Sequence, residues 1–440
     1  MTNWTSAPAG PLRGEVRVPG DKSISHRAIM LAALAEGTSR ITGFLEGEDT
    51  LATARAFVQM GVRIEAPHAS ERRVHGVGLH GLAAPDAPID CGNAGTGMRL
   101  MAGILAGQAF DSTLTGDASL SKRPMRRVIE PLSQMGARIE AERDGLPPLR
   151  IRGGSALHGI DYDLPVASAQ VKSAILLAGL YAHGETRVRE PHPTRDYTER
   201  MLRAFGWPVD IQPGSVQISG GHRLRAVQID VPTDFSSAAF FIVAASIAPG
   251  SELVLRDVGM NPRRTRLLQV LRAMGADIRE SNVRESSRRG QGGEPVADLI
   301  VRHAPLCGID VPADVVPDMI DEFPALFVAA AAARGTTRIR GAAELRVKES
   351  DRIAVMANAL RALGVRIEET PDGAVIEGGT LGGGDADSAG DHRCAMSLAV
   401  AGLIARVPVR IADCANVATS FPGFVELARN CGFRLTAALA

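Results

Sequence analysis

One pattern of about seventy residues occurs six times along the chain, so the fold must be built from six similar units. Each copy contains a helical segment, a glycine, and then an alternation of apolar and polar residues that is typical of a half-buried strand. The glycine predicts the left-handed residue that ends the helix. These glycines are Gly61, Gly136, Gly206, Gly275, Gly364 and Gly432.

A second helix is predicted before each of these, and its composition indicates burial on all sides. Small and apolar residues occupy nearly every helical face, unlike the one-sided pattern of a surface helix. A strand follows each segment, so each unit is predicted to contain a strand, a buried helix, a strand, an outer helix and a strand pair. The buried segments cover residues 25–37, 97–107, 171–184, 236–250, 324–335 and 394–405.

Six such units predict an α/β chain that divides into two domains of three units each, with the crossing near residues 229–235. One domain would comprise residues 20–233. The other would comprise residues 1–19 plus 234–440, with an N-terminal strand at 14–19 completing it. We expect hairpin loops at 281–295 and 378–390, because glycine and polar residues interrupt the alternating pattern there.

Composition argues against several classes of function. The 49 basic and 49 acidic residues balance, whereas a nucleic-acid-binding protein carries a basic surplus. Uninterrupted apolar stretches reach about ten residues, roughly half of what spans a bilayer. The N-terminal residues do not form a secretory signal, so we expect a cytoplasmic protein without a membrane segment. The five cysteines form no CxxC pair and the ten histidines form no HExxH spacing, so we expect reduced thiols and no metal.

Lysine is rare in this chain, which makes its positions informative. Only four of the 49 basic residues are lysine, and all four lie where helices are predicted to begin. The lysine ammonium group is compact and can lose its proton, whereas the arginine guanidinium group is planar and stays charged. The lysines are therefore candidate functional residues, with chance as the alternative: Lys22, Lys122, Lys172 and Lys348.

Polar and basic motifs cluster at the predicted helix starts, where backbone N–H groups lack partners within the helix. Equivalent ends lie at equivalent places in a repeat protein, so these starts should face one another. Their N–H groups, lysines and arginines would bind a small ligand with several negative charges. The buried helices begin at GDKSISHR (20–27), NAGTGMR (93–99), ASAQVKS (167–173), TDFSSA (233–238), IDEFP (320–324) and DHRCA (391–395).

Each motif also has a simpler interpretation. GDKS lacks the upstream glycine of a Walker phosphate loop, which argues against nucleotide hydrolysis. GNAGTGMR either brings a ligand close to the backbone at Gly95 or only opens a helix. Asp321 is either a helix cap or a general base beside the cations. Lys348 and Arg352, four residues apart, share either a functional face or a solvated one.

Taken together, the motifs resemble those of 5-enolpyruvylshikimate-3-phosphate synthases along nearly the whole chain. PGDKSISHR, GNAGTGMRL, GDASLSKRPM, ASAQVKSA, RVKESDR and DHRCAMS occur in this order. GDKS, SAQVK and SKRPM are most similar to the bacterial class II members. The resemblance implies the two-domain enolpyruvyl transferase fold, an inside-out α/β barrel of six βαβαββ repeats, three per domain. It also implies an active site in the cleft between the domains.

The resemblance assigns roles to the residues of the matching motifs. Asp321 would take the proton from the 5-hydroxyl, Glu349 would handle the proton exchanged at the methylene carbon, and Lys22 would contact both substrates. The implied reaction is addition to phosphoenolpyruvate followed by loss of phosphate from a tetrahedral intermediate, without a cofactor. Shikimate 3-phosphate would be bound by Lys22, Ser23, Arg27, Ser168, Ala169, Gln170, Arg195, Asp321 and Lys348. Phosphoenolpyruvate would be bound by Lys22, Gly95, Arg123, Gln170, Arg352 and Arg393.

The chain departs from the family pattern at a few positions. Tyr197 stands where class II members often have histidine, and residues 261–264 read NPRR where many have an NPTR-like turn. Thr419 occupies a position where other members have lysine, which leaves open the group that protonates the leaving phosphate. Gly95 is the position where some glyphosate-tolerant class II enzymes carry alanine, so we expect glyphosate to inhibit this protein.

Two alternatives stay open at this point. The sister enzymes that transfer enolpyruvyl to UDP-N-acetylglucosamine share the fold. They typically have Lys-Asn where this chain has Lys22-Ser23, and a cysteine in the loop that here reads GDASLSKRPM. A non-catalytic anion-binding scaffold would bind phosphate but would leave Asp321 and Glu349 without a purpose. For the oligomeric state, we expect a monomer.

Overall fold

The computed structural model describes residues 2–286 and 293–439, so the tip of the predicted loop 281–295 lies outside the described residues at 287–292. The chain forms two compact units. We call Gly20–Val231 with Glu285–Glu294 the Lys22 unit. The Asp321 unit comprises Met1–Pro19, Pro232–Arg284 and Pro295–Ala440.

Twelve α-helices occur in the described part of the chain. They are α1 Lys22–Leu34, α2 Glu48–Gln59, α3 Gly95–Ala106, α4 Arg126–Gln134, α5 Ala169–Gly179, α6 Tyr197–Ala204, α7 Phe235–Ile247, α8 Arg266–Ala273, α9 Phe323–Ala332, α10 Arg352–Ala362, α11 His392–Gly402 and α12 Phe424–Asn430. Short 3-10 helices cover Leu120–Lys122, Arg143–Gly145, Ala313–Glu322, Ala343–Val347 and Ala415–Thr419.

The strands are β1 Thr2–Ala7, β2 Arg13–Val16, β3 Glu36–Thr42, β4 Arg63–Glu65, β5 Glu71–Val77, β6 Ile89–Asp90, β7 Ser112–Thr115, β8 Arg138–Glu142, β9 Leu146–Arg152, β10 Asp161–Asp163, β11 Glu185–Arg189, β12 Asp210–Gln212, β13 Ser215–Ser219, β14 Gln228–Asp230, β15 Glu252–Gly259, β16 Asp277–Glu285, β17 Pro295–Arg302, β18 Gly335–Ile339, β19 Arg366–Thr370, β20 Gly373–Gly378, β21 Gly384–Asp387, β22 Val409–Ala412 and β23 Arg434–Leu439.

Three helices form the core of each unit, and they are buried on all sides as predicted. In the Asp321 unit these are α7, α9 and α11, and every residue of α7 is buried. In the Lys22 unit, α1, α3 and α5 take the same place. Each large apolar side chain buried here contributes about 1.5–3 kcal/mol to the free energy of unfolding. Alanine and glycine let these helices pack closely.

The outer helices α2, α4, α6, α8, α10 and α12 end at the repeated glycines. All six of these glycines have φ values between 85° and 108°, which confirms the predicted left-handed helix ends. Since a side chain disfavours this conformation, glycine fixes where each outer helix stops. The chain then turns directly into the hairpin of the unit.

The strands form six small sheets, three in each unit, which confirms the βαβαββ repeat. Within a repeat the first strand pairs parallel with the second, as in β6 with β7 and β10 with β11. The hairpin that follows adds antiparallel strands. The Lys22 unit has the orders β14-β3-β5-β4, β6-β7-β9-β8 and β10-β11-β13-β12. The Asp321 unit has β16-β17-β15-β2, β18-β20-β19 and β21-β22-β1-β23.

Strands that are far apart in the sequence pair with each other in both units. In the Asp321 unit, β2 pairs parallel with β15. In the Lys22 unit, β14 pairs parallel with β3. β1, which the repeat pattern did not predict, lies between β22 and β23 and pairs antiparallel with both. The prediction of a loop throughout 378–390 was wrong, because residues 384–387 form β21 and pair with β22.

The contact between β1 and α11 leads to a prediction of stability. A Cβ atom added at Gly402 would lie 2.5 Å from the Cβ of Ser6 and 2.8 Å from its carbonyl oxygen. We expect Gly402→Ala to displace β1 and to lower the free energy of unfolding by about 1–3 kcal/mol, the usual cost of overpacking. Denaturant unfolding measures this change. Gly379→Ala, which meets no heavy atom within 4 Å in the same unit, is the control. Equal stability of the two variants would contradict the close packing.

Candidate active site

Four of the six buried helices begin at a polar side chain that accepts a hydrogen bond from their first backbone N–H groups. Asp21 accepts from Ile24 N at 2.9 Å before α1, and Ser168 accepts from Val171 N at 3.4 Å before α5. Asp234 caps α7 and Asp391 caps α11 in the same way. Capping fixes the backbone at these starts, where the sequence motifs lie.

In the Lys22 unit, the cations of α1 are held by polar partners. Lys22 Nζ lies 2.8 Å from Asp49 Oδ2. Arg27 Nε donates to Thr198 Oγ1 at 2.7 Å and Nη2 donates to Ser173 Oγ at 2.8 Å. Arg27 also donates to the carbonyl oxygen of Ser23 at 2.9 Å. Arg27 therefore links α1, α5 and α6. Burial lowers the pKa of Arg27 to about 10, so it keeps its charge at neutral pH.

A second group of contacts in this unit joins the starts of α3 and α5. Arg99 Nη1 donates to Gln170 Oε1 at 2.7 Å, and Gln170 Nε2 donates to Thr96 Oγ1 at 2.8 Å. A Cβ atom added at Gly95 would lie 3.1 Å from Arg99 Nη1 and 3.2 Å from Arg123 Nη1. Two guanidinium groups thus lie directly beside a backbone without a side chain, which suits a bound anion.

The other predicted residues of the Lys22 unit lie on the same elements. Ser168 and Ala169 form the start of α5. Arg195 lies just before α6, and its positive charge adds to the effect of burial in lowering the pKa of Arg27. The carboxylates of Glu199 and Asp21 oppose this lowering of the Arg27 pKa.

In the Asp321 unit, Arg352 lies at the centre of the predicted residues. Its Nε donates to Asp391 Oδ2 at 2.9 Å. Its Nη1 lies 3.4 Å from Asp321 Oδ1, and its Nη2 lies 2.5 Å from Glu349 Oε2. The Arg352 side chain is only 1% exposed. Burial disfavours its charge, but the carboxylates, with Asp391 the strongest, outweigh burial and raise the pKa of Arg352.

Two further cations belong to this group. Arg393 Nη1 donates to the carbonyl oxygen of Asp321 at 3.2 Å. Lys348 Nζ lies 3.6 Å from Glu344 Oε1, and burial lowers the pKa of Lys348 against the opposing effect of Asp321. The Asp321 and Glu349 side chains stay 16% and 22% exposed. Carboxylates that can meet a ligand beside three cations can move protons while the cations hold negative charge.

Neither a metal centre nor a membrane span was found in the described part of the chain. Residues 2–286 and 293–439 contain no group of three or more His, Cys, Asp or Glu side chains that could hold a metal ion. Within the same ranges, every helix is too short or too polar to cross a bilayer.

The sequence profile of EPSP synthase (3-phosphoshikimate 1-carboxyvinyltransferase) matches residues 7–427. The chain belongs to the EPSP synthase family. A 3-phosphoshikimate 1-carboxyvinyltransferase of Xanthomonas campestris pv. campestris (strain B100) is 66% identical over 435 residues, which cover 99% of this chain and 98% of the relative. A protein of the same name from Xanthomonas axonopodis pv. citri (strain 306) is 65% identical over 436 residues, with 99% and 98% coverage.

Solved structures show the same fold. EPSP synthase from Acinetobacter baumannii superposes with a TM-score of 0.89 at 52% identity, and the match covers 100% of both chains. The enolpyruvyl transferase NikO from Streptomyces tendae has a TM-score of 0.80 at 18% identity, covering 100% of this chain and 99% of that one. At that identity the likeness concerns the fold alone. The predicted enolpyruvyl transferase fold and the predicted family are confirmed.

The positions that depart from the EPSP synthase pattern have local partners. Tyr197 Oη donates to Asp21 Oδ2 at 3.3 Å, and its ring centroid lies 5.9 Å from the Arg27 guanidinium carbon. Thr419 Oγ1 donates to the carbonyl oxygen of Asn416 at 2.7 Å. Tyr197 therefore supports the start of α1, whereas Thr419 supports its own 3-10 helix.

Sequence reasoning missed several residues that hold the predicted ones in place. Asp49 pairs with Lys22 from α2, and no local motif indicates this contact. Asp391 lies in the DHRCA motif, but only the fold shows that it accepts a hydrogen bond from Arg352. Arg99 is the last residue of the NAGTGMR motif (93–99), and the structure gives it a specific partner in Gln170.

Lys172 differs from the other lysines because its side chain is almost fully buried. Its Nζ is 2.8 Å from Glu190 Oε1 and 2.7 Å from Glu199 Oε1, and its side chain is 1% exposed. Burial disfavours the ammonium group, but the two carboxylates outweigh burial and raise the pKa of Lys172. Glu190 also accepts from Thr194 N at 2.9 Å. This triad thus anchors the segment that carries Arg195.

The buried triad predicts a large effect on stability. Lys172→Met leaves two buried carboxylates without their cation, so we expect the free energy of unfolding to fall by about 3–5 kcal/mol. Denaturant unfolding measures the loss. Arg63→Met removes the partner of Glu65 at a side chain that is 74% exposed, and it should change stability by less than about 1 kcal/mol. A Lys172 variant as stable as this control would rule out a structural role for the triad.

Proposed function

We propose that the protein transfers the enolpyruvyl group of phosphoenolpyruvate to the 5-hydroxyl of shikimate 3-phosphate and releases phosphate. The family match over residues 7–427 supports this reaction. The arrangement around Arg352 carries the chemical argument, because two partly exposed carboxylates, Asp321 and Glu349, share one buried guanidinium. Carboxylates at this place can accept and return protons while the neighbouring cations hold negative charge.

We propose that residues of both units bind the two substrates, which together carry two phosphates and two carboxylates. The helix starts and guanidinium groups provide hydrogen-bond donors that match these anions. Shikimate 3-phosphate would contact Lys22, Ser23, Arg27, Ser168, Ala169, Gln170, Arg195, Asp321 and Lys348. Phosphoenolpyruvate would contact Lys22, Gly95, Arg123, Gln170, Arg352 and Arg393.

In the proposed mechanism, the 5-hydroxyl oxygen adds to the carbon of phosphoenolpyruvate that bears the phosphate, while Asp321 accepts the hydroxyl proton. Glu349 gives a proton to the methylene carbon, which becomes a methyl group in the tetrahedral intermediate. Glu349, now a carboxylate, then takes a proton back from the methyl group, and the electrons of that C–H bond restore the double bond as phosphate leaves with the electrons of its C–O bond. Cations that are already in place stabilise the charge that develops in each step.

We also propose that the chain is a class II member whose domains are residues 20–233 and residues 1–19 plus 234–440, with the active site at their cleft. The GDKS, SAQVK and SKRPM motifs support the subtype. We propose further that the protein acts in the cytoplasm as a monomer. Its five free cysteines, all in the described ranges, suit a reducing compartment.

An assay with two acceptors tests the reaction. Phosphate should be released from phosphoenolpyruvate with shikimate 3-phosphate and not with UDP-N-acetylglucosamine, because Lys22 is followed by serine and the 116–125 loop contains no cysteine. Release with the nucleotide sugar alone would assign the sister activity. Tight binding of phosphate without turnover of either acceptor would favour the anion-binding scaffold.

Asp321→Asn tests the proposed base. The amide keeps the size of the side chain but cannot accept the hydroxyl proton, so kcat should fall by about 10²–10⁴-fold. Calorimetry should show little change in the affinity for shikimate 3-phosphate. Asp314→Asn, an exposed position on the same 3-10 helix, is the matched control. Turnover of Asp321→Asn at the level of this control would remove Asp321 from the mechanism.

Gly95→Ala tests the proposed phosphoenolpyruvate site. Its methyl group would lie 3.2 Å from Arg123 Nη1, a close contact that reduces the room beside the guanidinium. Glyphosate should inhibit the parent protein competitively with phosphoenolpyruvate. The substitution should raise the glyphosate inhibition constant by about tenfold or more, as expected for one badly placed methyl group. Steady-state inhibition measures both constants, and an unchanged inhibition constant would reject the steric explanation.

A further inference from the structure

Arg264 lies in the NPRR turn before α8 and is almost fully buried, with 4% of its side chain exposed. Its Nη2 donates to Ser236 Oγ at 2.6 Å and to Asp234 Oδ1 at 3.3 Å. Both acceptors belong to the start of α7, where Asp234 also accepts from Ser236 N at 2.7 Å. A capped helix start thus holds one edge of the guanidinium in a fixed position.

The other edge of Arg264 faces the proposed base. Arg264 Nη1 lies 3.6 Å from Asp321 Oδ2, while Arg352 Nη1 lies 3.4 Å from Asp321 Oδ1. Each carboxylate oxygen of Asp321 is therefore next to a different arginine. Arg352 is also a proposed ligand of phosphoenolpyruvate, whereas Arg264 is fixed by groups of the protein.

The neighbouring carboxyl group of Glu322 has a different environment. Ser236 Oγ accepts from Arg264, so its own proton is directed to Glu322 Oε1, with which it forms a short hydrogen bond. Glu322 is 3% exposed, and burial raises its pKa. The two consecutive carboxyl groups therefore have different surroundings. Glu322 is buried against Ser236, whereas Asp321 lies between two arginines.

We infer that Arg264 is a positioning residue for the proposed reaction, holding the Asp321 carboxylate charged and fixed for proton transfer. This inference rests on the proposed role of Asp321. Other charged groups near Asp321 in this unit include Arg352, Arg393, Lys348 and Glu322. Glu349 and Asp391 share Arg352 with Asp321. Arg352 and Arg393 are proposed to share their charge with phosphoenolpyruvate, whereas Arg264 supplies an interaction that does not depend on the ligand.

The pH dependence of kcat with both substrates saturating tests this role. Arg264→Gln removes a cation beside Asp321, and a carboxyl group that loses such a partner has a higher pKa. The acid limb of the kcat profile should therefore move up by about one pH unit, and kcat at its maximum should fall by about tenfold. A general loss of structure would lower kcat without moving the limb.

Arg263→Gln is the matched control. Arg263 is the adjacent arginine, its side chain is 36% exposed, and its Nη1 lies 3.6 Å from Asp318. Arg263→Gln should leave the acid limb at the position of the parent protein. An Arg264→Gln profile that coincides with that of Arg263→Gln would overturn the inference.

Arg264→Lys provides a second test, which can be carried out even if the Arg264→Gln variant does not fold. An ammonium group keeps the charge but cannot reach the start of α7 and Asp321 with separate nitrogens. It should lower kcat by a few-fold, and this loss should disappear in the Asp321→Asn background. Single-turnover measurements with labelled phosphoenolpyruvate can follow such slow variants. Equal losses in both backgrounds, or none in either, would overturn the inference.

Failure of this inference differs from failure of the proposed function. If Asp321→Asn keeps the turnover of the parent protein, the proposed base is wrong and Arg264 has nothing to position. If Asp321→Asn is impaired but Arg264→Gln changes neither kcat nor its acid limb, the proposed function stands and only the role of Arg264 is lost.

Discussion

Helices that are buried on every face can present polar groups only at their ends, and this constraint governs both units. The first N–H groups of such a helix need partners that the apolar core does not offer. Asp21, Ser168, Asp234 and Asp391 provide them at α1, α5, α7 and α11. Polar chemistry is therefore concentrated at the helix starts, which is where the EPSP synthase motifs lie.

Arginine–carboxylate contacts then fix the candidate catalytic groups of the Asp321 unit. A charged group that is buried away from water destabilises the fold unless oppositely charged or hydrogen-bonding partners lie next to it. The partners of Arg352 are Asp391, Asp321 and Glu349. The partners of Arg264 are Asp234, Ser236 and Asp321. Because these contacts are made by groups of the protein itself, they hold the carboxylates in position, and fixed groups need little reorganisation when negative charge develops.

The rarity of lysine does not by itself show which of the four lysines belong to the candidate site. Lys22 and Lys348 lie among the predicted binding residues, whereas Lys122 is exposed and Lys172 is buried between two glutamates. All four looked equivalent as rare residues near helix starts. Only tertiary packing separates them, since Glu190 and Glu199 come from segments that follow α5 in the chain.

The sequence alone determined the six-unit fold, the buried helices, the helix ends at glycine and the family, because each depends on local periodicity, local backbone conformation or a contiguous motif. Tertiary structure decided the rest. It placed β1 between β22 and β23, paired β2 with β15 and β14 with β3, and brought Arg264 to Asp321 and Asp49 to Lys22. Each of these contacts joins residues far apart in the chain, so its energy depends on distances that local sequence patterns do not encode.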